Sequence, residues 1–318
     1  MAMCRPWSFC RSASARWINA ALACAASGHG ASAWACCGLV AIVRIGDLDL
    51  FYEEHGAGYP LLLIMGLATD CTAWAFQVPA FQEHFRTIVF DNRGVGRSSK
   101  PPGPYSIHQM ADDAAALLDR LGIDRAHVLG ISMGGMIAQE LALRHPARVN
   151  GLVLACTYPE PDSEVESHRI ITLTRFGGTI TEEGEMQVDV KALDPLHFLQ
   201  HMLPLVFNQE FIATGLPKLL PLFSGAMQYG FNMEAILGQV AAVMGHKATD
   251  RLHRIASPTL VITGDRDLLI PPGNSDILAE HIPGARLVKV PGGSHGFNIE
   301  TPEVFNREVL GFLRTVPT

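Results

Sequence analysis

At 318 residues, with 48% hydrophobic and 17% charged residues, the chain is long and apolar enough for one large α/β domain or two modest ones. A net charge of −7 without any Lys/Arg cluster gives no electrostatic footprint for nucleic acid, and no basic amphipathic helix offers stable docking on a membrane. Beyond the first forty residues only Cys71 and Cys156 remain, which excludes a disulfide framework and makes a reducing, cytoplasmic setting the expectation.

The first forty residues stand apart. They hold Cys4, Cys10, Cys24, Cys36 and Cys37 together with Arg5, Arg11 and Arg16, and no acidic residue precedes Asp47. Trp17–Ala26 is an apolar run too short to span a bilayer, and Ala31-Ser32-Ala33 has the small-residue pattern of a signal cleavage site. Residues 1–40 are therefore expected to be an extension: a start-site artefact with the real beginning near Val40, an export signal, or a disordered tail. The Cys36-Cys37 pair lacks the spacing of a zinc site.

From Ile42 the pattern is orderly. Ile42–Ile45 and Leu48–Glu54 alternate apolar and polar residues around Gly46-Asp47, which predicts a hairpin at a sheet edge. Leu61–Met65 is a continuous apolar run of strand length, as expected of a strand covered on both faces. Arg86–Phe90 predicts the next strand, and Met110–Leu121 a helix that stops at Gly122. Val128-Leu129, Val149–Leu154, Thr259–Ile262 and Leu287–Val290 supply four more strands, with helical patterns at Ile277–His281 and Val304–Leu313. This alternation predicts a mostly parallel sheet flanked by helices. Between Tyr158 and Asp250 the alternation stops. No strand-like run occurs there, and Leu196–Leu203, Leu219–Phe223 and Met233–Met244 read as helices rich in Leu, Met and Phe. The expected organisation is an α/β core of residues 41–157 and 251–318 with a helical cap inserted at 158–250.

Three segments carry chemistry. Gly130-Ile131-Ser132-Met133-Gly134 follows a strand and opens a helix, the pattern of a nucleophile elbow. In so tight a turn a Cβ at either glycine would collide with its neighbours, while the serine hydroxyl is lifted clear of the sheet. Downstream, a strand runs into Gly264-Asp265-Arg266-Asp267, and another ends in Gly292-Gly293-Ser294-His295-Gly296. Ser132, Asp267 and His295 thus follow in the order Ser, Asp, His, each just past the carboxyl end of a strand, where open parallel sheets place their sites. A serine hydroxyl is a poor nucleophile until a base takes its proton. An imidazole suits that task, and a carboxylate can hold its tautomer and stabilise the imidazolium.

On these residues the chain from about Ile42 to its end resembles the α/β-hydrolase superfamily, within it the esterases and lactonases that include the 3-oxoadipate enol-lactonases. The resemblance extends to Ile64-Met65-Gly66-Leu67, to Phe90–Ser98 with its Asp91-Asn92-Arg93-Gly94 turn, and to Gly130–Gln139. It implies that Asp267, last of a G-x-x-D turn, is the catalytic acid, with Asp265 turned away and Glu160 or Asp162 as alternative acids after the strand near Cys156. It also implies that the backbone N–H groups of Leu67 and Met133 form the oxyanion hole. Many relatives carry His-Gly where this chain has Met65-Gly66, which leaves the bracing of the Leu67 loop open.

The resulting expectation is a serine-dependent hydrolase of a small, largely apolar carboxylic ester or lactone, without metal or cofactor, its self-association into a homo-oligomer left open. A carbon–carbon bond hydrolase of vinylogous diketones, a perhydrolase and a ligand receptor on the same fold are the alternatives. Gly94-Val95-Gly96 does not continue into a dinucleotide-binding helix, and His197/His201 lack the glutamate and third ligand of a zinc helix. Asp91 and Arg93 read as loop braces, and Trp74, His108 and Phe297 as either pocket or ordinary packing.

Overall fold

The computed structural model describes residues 39–161, 178–180, 186–188, 195–215 and 232–318, the side chains at 178–180, 186–188, 195–199 and 201 excepted. The expectations for residues 1–38, Asp162, Leu219–Phe223 and the His197/His201 side chains lie outside the described residues. Strand β1 (Leu39–Ile45) includes Leu39 and Val40, the last two residues of the stretch set apart as 1–40.

Strands β1, β2 (Leu48–His55), β3 (Pro60–Ile64), β4 (Arg86–Phe90), β5 (Ala126–Ile131), β6 (Val149–Ala155), β9 (Thr259–Gly264) and β10 (Arg286–Val290) form one eight-stranded sheet in the order β1-β2-β4-β3-β5-β6-β9-β10. The first hairpin is antiparallel and joins β4 antiparallel; every other pairing is parallel. Because side chains alternate along a strand, the apolar runs feed two cores at once. Leu62, Ile64, Val128, Leu152 and Val261 pack with the helices Ile107–Arg120 and Met133–Arg144. Leu61, Leu63, Leu129, Val153 and Ile262 pack on the opposite face with Phe305, Val309 and Phe312 of the helix Pro302–Leu313. Both faces are covered, which is why the central strands carry no polar alternation.

Between β6 and β9 the chain leaves the sheet. The helices Pro195–Val206 and Met233–Met244 form where apolar helical spacing predicts them. The expectation of no strand in this stretch is corrected: Gly178–Ile180 (β7) and Met186–Val188 (β8) pair as a short antiparallel hairpin. With three residues each, these strands are too short to leave a periodic signature.

One side chain in the core has an acid-sensitive consequence. His127 of β5 is fully buried against the rings of Tyr59 and Phe85, centroids 4.8 and 5.6 Å away, and neither ring nitrogen finds a partner among the described residues. Burial, and next the charge of Arg125, lower its pKa from 6.5 to about 4. Buried His246 is lowered likewise to about 4, first by burial. The unfolded chain then takes up protons near pH 6.5 and the folded chain only near pH 4, so stability is complete above that window and declines as pH falls through it. The expected loss is on the order of 3 kcal/mol per histidine. Urea unfolding compared across the window should show it, and His127→Phe should remove the share due to His127.

Candidate active site

Ser132 stands between the last residue of β5 and the first of the helix Met133–Arg144, with φ 56° and ψ −124°. The flanking glycines are required by close approach. A Cβ on Gly130 would lie 2.1 Å from the Gly134 carbonyl oxygen, and one on Gly134 the same distance from that of Ile64. Among the described residues the non-glycine positions with positive φ are Ala68, Ser132 and Cys156. All three follow the carboxyl ends of β3, β5 and β6, so the backbone strain gathers at one rim of the sheet, as strain does at functional sites.

At the same rim, beyond β9 and β10, His295 Nδ1 lies 2.8 Å from Asp267 Oδ2, with both side chains buried. The two loops meet because Gly264 has no side chain: a Cβ there would sit 2.2 Å from the Gly293 carbonyl oxygen. Asp267 Oδ1 accepts from the N–H groups of Leu269 (2.9 Å) and Ile270 (2.8 Å), which fixes the carboxylate and leaves Oδ2 for the imidazole. An ionised carboxylate only accepts, so Nδ1 carries the proton and Nε2 of the neutral ring is left as the basic nitrogen. Asp265 instead accepts from the Gly292 N–H at the surface, and Glu160 is exposed.

The turn after β6 links the serine to this pair. Ser132 N–H donates to the Ala155 carbonyl (2.9 Å), and the Thr157 hydroxyl donates to the Ser132 carbonyl (2.9 Å). Between them, Cys156 Sγ and donor atoms of Asp267 and His295 all lie within 4.8 Å of one another. Such a trio could hold a thiophilic metal, but Asp267 and His295 already bond each other. Burial, and next the Asp267 charge, push the Cys156 thiol well above its ordinary range. A protonated thiol is a poor ligand and a poor nucleophile. Among the described residues no hydrogen bond joins the Ser132 hydroxyl to His295; catalytic hydrogen bonds are often long in unliganded enzymes and tighten in the complex.

The loop carrying Leu67 passes over the serine: a Cβ on Gly66 would lie 3.7 Å from Ser132 Oγ. Asn92 Nδ2 donates to the Met65 carbonyl (2.9 Å), so a buried amide braces this loop. Among the described residues the N–H groups of Leu67 and Met133 have no acceptor. That of Met133 is also the first N–H of its helix, at the positive end of the dipole.

The loop after β4 is structural. Asp91 accepts from the N–H groups of Cys71 (2.9 Å) and Arg97 (2.8 Å), and Arg93 forms a buried two-pronged pair with Asp113 at 2.6 and 2.7 Å. Trp74 and Phe297 are core residues, and half-exposed His108 lies 3.3 Å from Glu140. Sequence reasoning missed Asn92, Cys156 and Gln239 as neighbours of the site. Only Gln239 left a signal, as a lone amide within the apolar helical run Ile236–Val240.

Comparison with known proteins agrees with this architecture. A family model described as alpha/beta hydrolase fold matches residues 59–182. A protein of Azorhizobium caulinodans named "Putative carbamate hydrolase RutD" is 33% identical over 271 residues, covering 84% of this chain and 96% of that protein. A hydrolase from Pseudomonas aeruginosa PA01 superposes with a TM-score of 0.74 at 32% identity, over 86% of this chain and 98% of that one. The enol-lactonase from Burkholderia xenovorans LB400 superposes with a TM-score of 0.73 at 29% identity, over 86% of this chain and all of that one (100%).

Proposed function

Because the chain belongs to the α/β-hydrolase family, we propose that it cleaves carboxylic esters or lactones through an acyl-serine intermediate. The observation that carries this reading is the Asp267–His295 hydrogen bond, at the rim where Ser132 is held in a strained elbow. In the proposed cycle Ser132 Oγ attacks the substrate carbonyl as its proton passes to His295 Nε2. The N–H groups of Leu67 and Met133 take the oxyanion. The carbon–oxygen bond breaks, and the leaving alkoxide recovers the proton from His295. Water then attacks the acyl-serine by the same sequence and releases the acid. With a lactone the leaving alcohol stays tethered, so water must outpace ring closure.

Residues 158–250 are the proposed cap over this rim. The apolar set of Phe207, Phe211 and Ile299, backed by Phe76 and Leu203, supports small, largely apolar substrates. Pocket apolarity alone separates neighbouring homologues by only ~1–3 kcal/mol per methylene, so it does not choose among carbonyl classes.

A panel tests the proposal: p-nitrophenyl esters of graded chain length, an enol-lactone, an N-aryl carbamate and a ring-cleavage diketone. The carbamate is included because of the name carried by the Azorhizobium relative. Highest kcat/KM on esters or the lactone is the expected result. Preference for the carbamate or the diketone would move the assignment to carbon–nitrogen or carbon–carbon cleavage. A single turnover that leaves a stable adduct would favour a ligand receptor.

A further inference from the structure

The strained Ala68 next to Leu67 is held from outside the sheet. Ala68 has φ 56°, and its N–H donates to Gln239 Oε1 at 2.8 Å. Gln239 sits on the helix Met233–Met244, in the insertion between β6 and β9, with no exposed surface. Its other amide group, Nε2, donates to the Arg93 carbonyl at 2.7 Å. Arg93 is itself fixed by Asp113. Both ends of the Gln239 amide are therefore used, in one orientation, between a rigid anchor and a strained residue. A left-handed alanine persists only where its surroundings over-determine it. Here the partner that does so lies 171 residues away in sequence. The fit is close: the Tyr105 N–H donates to the Gly238 carbonyl at 3.3 Å, a Cβ on Gly103 would lie 3.0 Å from the Gly238 Cα, and one on Gly238 would lie 3.0 Å from the Tyr105 ring.

The insertion also holds the His295 loop. The Val206 carbonyl, at the end of the helix Pro195–Val206, accepts from the Gly296 N–H (2.7 Å) and the Ser294 hydroxyl (2.8 Å). The Asn208 N–H donates to Glu300 Oε1 at 2.7 Å. The insertion thus bonds both to the loop carrying Ala68 and to the loop carrying His295.

We infer that Gln239 is a positioning residue, whose amide holds Ala68 left-handed and so aims the Leu67 N–H at the developing oxyanion. The inference rests on the acyl-serine reading. Seating of the helix Met233–Met244 then completes the oxyanion hole, and the insertion governs turnover as well as substrate fit.

The test uses the full chain, p-nitrophenyl butyrate as probe, and amide hydrogen exchange at Ala68 followed by NMR. Gln239→Ala should lower kcat by about 10- to 100-fold with KM little changed, the cost of a misplaced donor. Exchange at Ala68 should quicken by about tenfold or more. Gln239→Glu adds a readout that a merely structural role would not move. A neutral Glu carboxyl can accept from Ala68 and donate to Arg93 as Gln does, whereas the carboxylate repels the Arg93 carbonyl. The kcat of Gln239→Glu relative to the original chain should therefore climb as pH falls, while that of Gln239→Ala stays flat. If Gln239→Ala does not fold, the pH-dependent recovery of Gln239→Glu and its Ala68 exchange decide the matter. An unchanged kcat in Gln239→Ala, unchanged Ala68 exchange, or a flat Gln239→Glu ratio would overturn the inference. Ser132→Ala separates the two claims: it leaves both Gln239 bonds in place, so turnover persisting in it defeats the acyl-serine reading while the exchange result still judges Gln239.

Discussion

Replacing Ser132 with alanine should lower kcat by about 10⁶-fold, the loss seen when the nucleophile of a concerted set is removed. The substitution is unusually clean here. Among the described residues every hydrogen bond of residue 132 is made by its backbone: its N–H donates to the Ala155 carbonyl, and its carbonyl accepts from the Thr157 hydroxyl and from the Gly135 and Met136 N–H groups. Alanine carries the same Cβ into the same positive φ, so the strain of the elbow is unchanged. What disappears is the oxygen that attacks. The thermal midpoint should hardly move, and the measurement is kcat on the best ester of the panel beside a melting curve. Turnover near that of the original chain would show that the serine is not the nucleophile.

Replacing Asp267 with asparagine should cost about 10⁴-fold in kcat, and the reason is a tautomer. Oδ1 already accepts from two backbone N–H groups, at Leu269 and Ile270. An asparagine must keep its single oxygen on those donors and therefore turns its NH₂ toward His295 Nδ1. That nitrogen then has to accept, the ring proton moves to Nε2, and the base is lost from the side that should take the serine proton. Size and burial are unchanged, so the variant should fold. ¹⁵N NMR of the histidine ring reports the tautomer directly. A variant with the Nε2–H tautomer and undiminished kcat would remove Asp267 from the mechanism.

Much of the sheet was legible because strands covered on both faces must be largely apolar, and the runs Leu61–Met65, Ile88–Phe90 and Leu152–Leu154 are. Boundaries were less so. The strand β5 begins at Ala126, yet His127 hides it, since a buried, unpartnered imidazole in a strand interior looks like a turn residue. The helix Ile107–Arg120 starts earlier than its apolar spacing suggests because Ser106 caps it, its hydroxyl accepting from the Gln109 N–H. The meeting of His295 with Asp267 could be anticipated from two glycine-marked strand ends. The bond of Asn92 to the Met65 carbonyl and that of Gln239 to Ala68 could not be, because an amide reaching across the fold to a backbone group leaves no spacing in the sequence; Gln239 stands out there only as a lone amide in an apolar helix, without its partner. The hole-bracing question raised by Met65-Gly66 was thus answerable only in three dimensions.

An acyl group trapped on the enzyme would identify the nucleophile. The protein is mixed with p-nitrophenyl acetate, quenched in acid within the first turnovers, digested and weighed. One acetyl group on the peptide containing Ser132, formed at the rate of the p-nitrophenol burst and lost on standing with water, is the predicted result. Steady turnover with Ser132 unmodified, or acetyl carried by Cys156 or another side chain, would rule out Ser132 as the nucleophile.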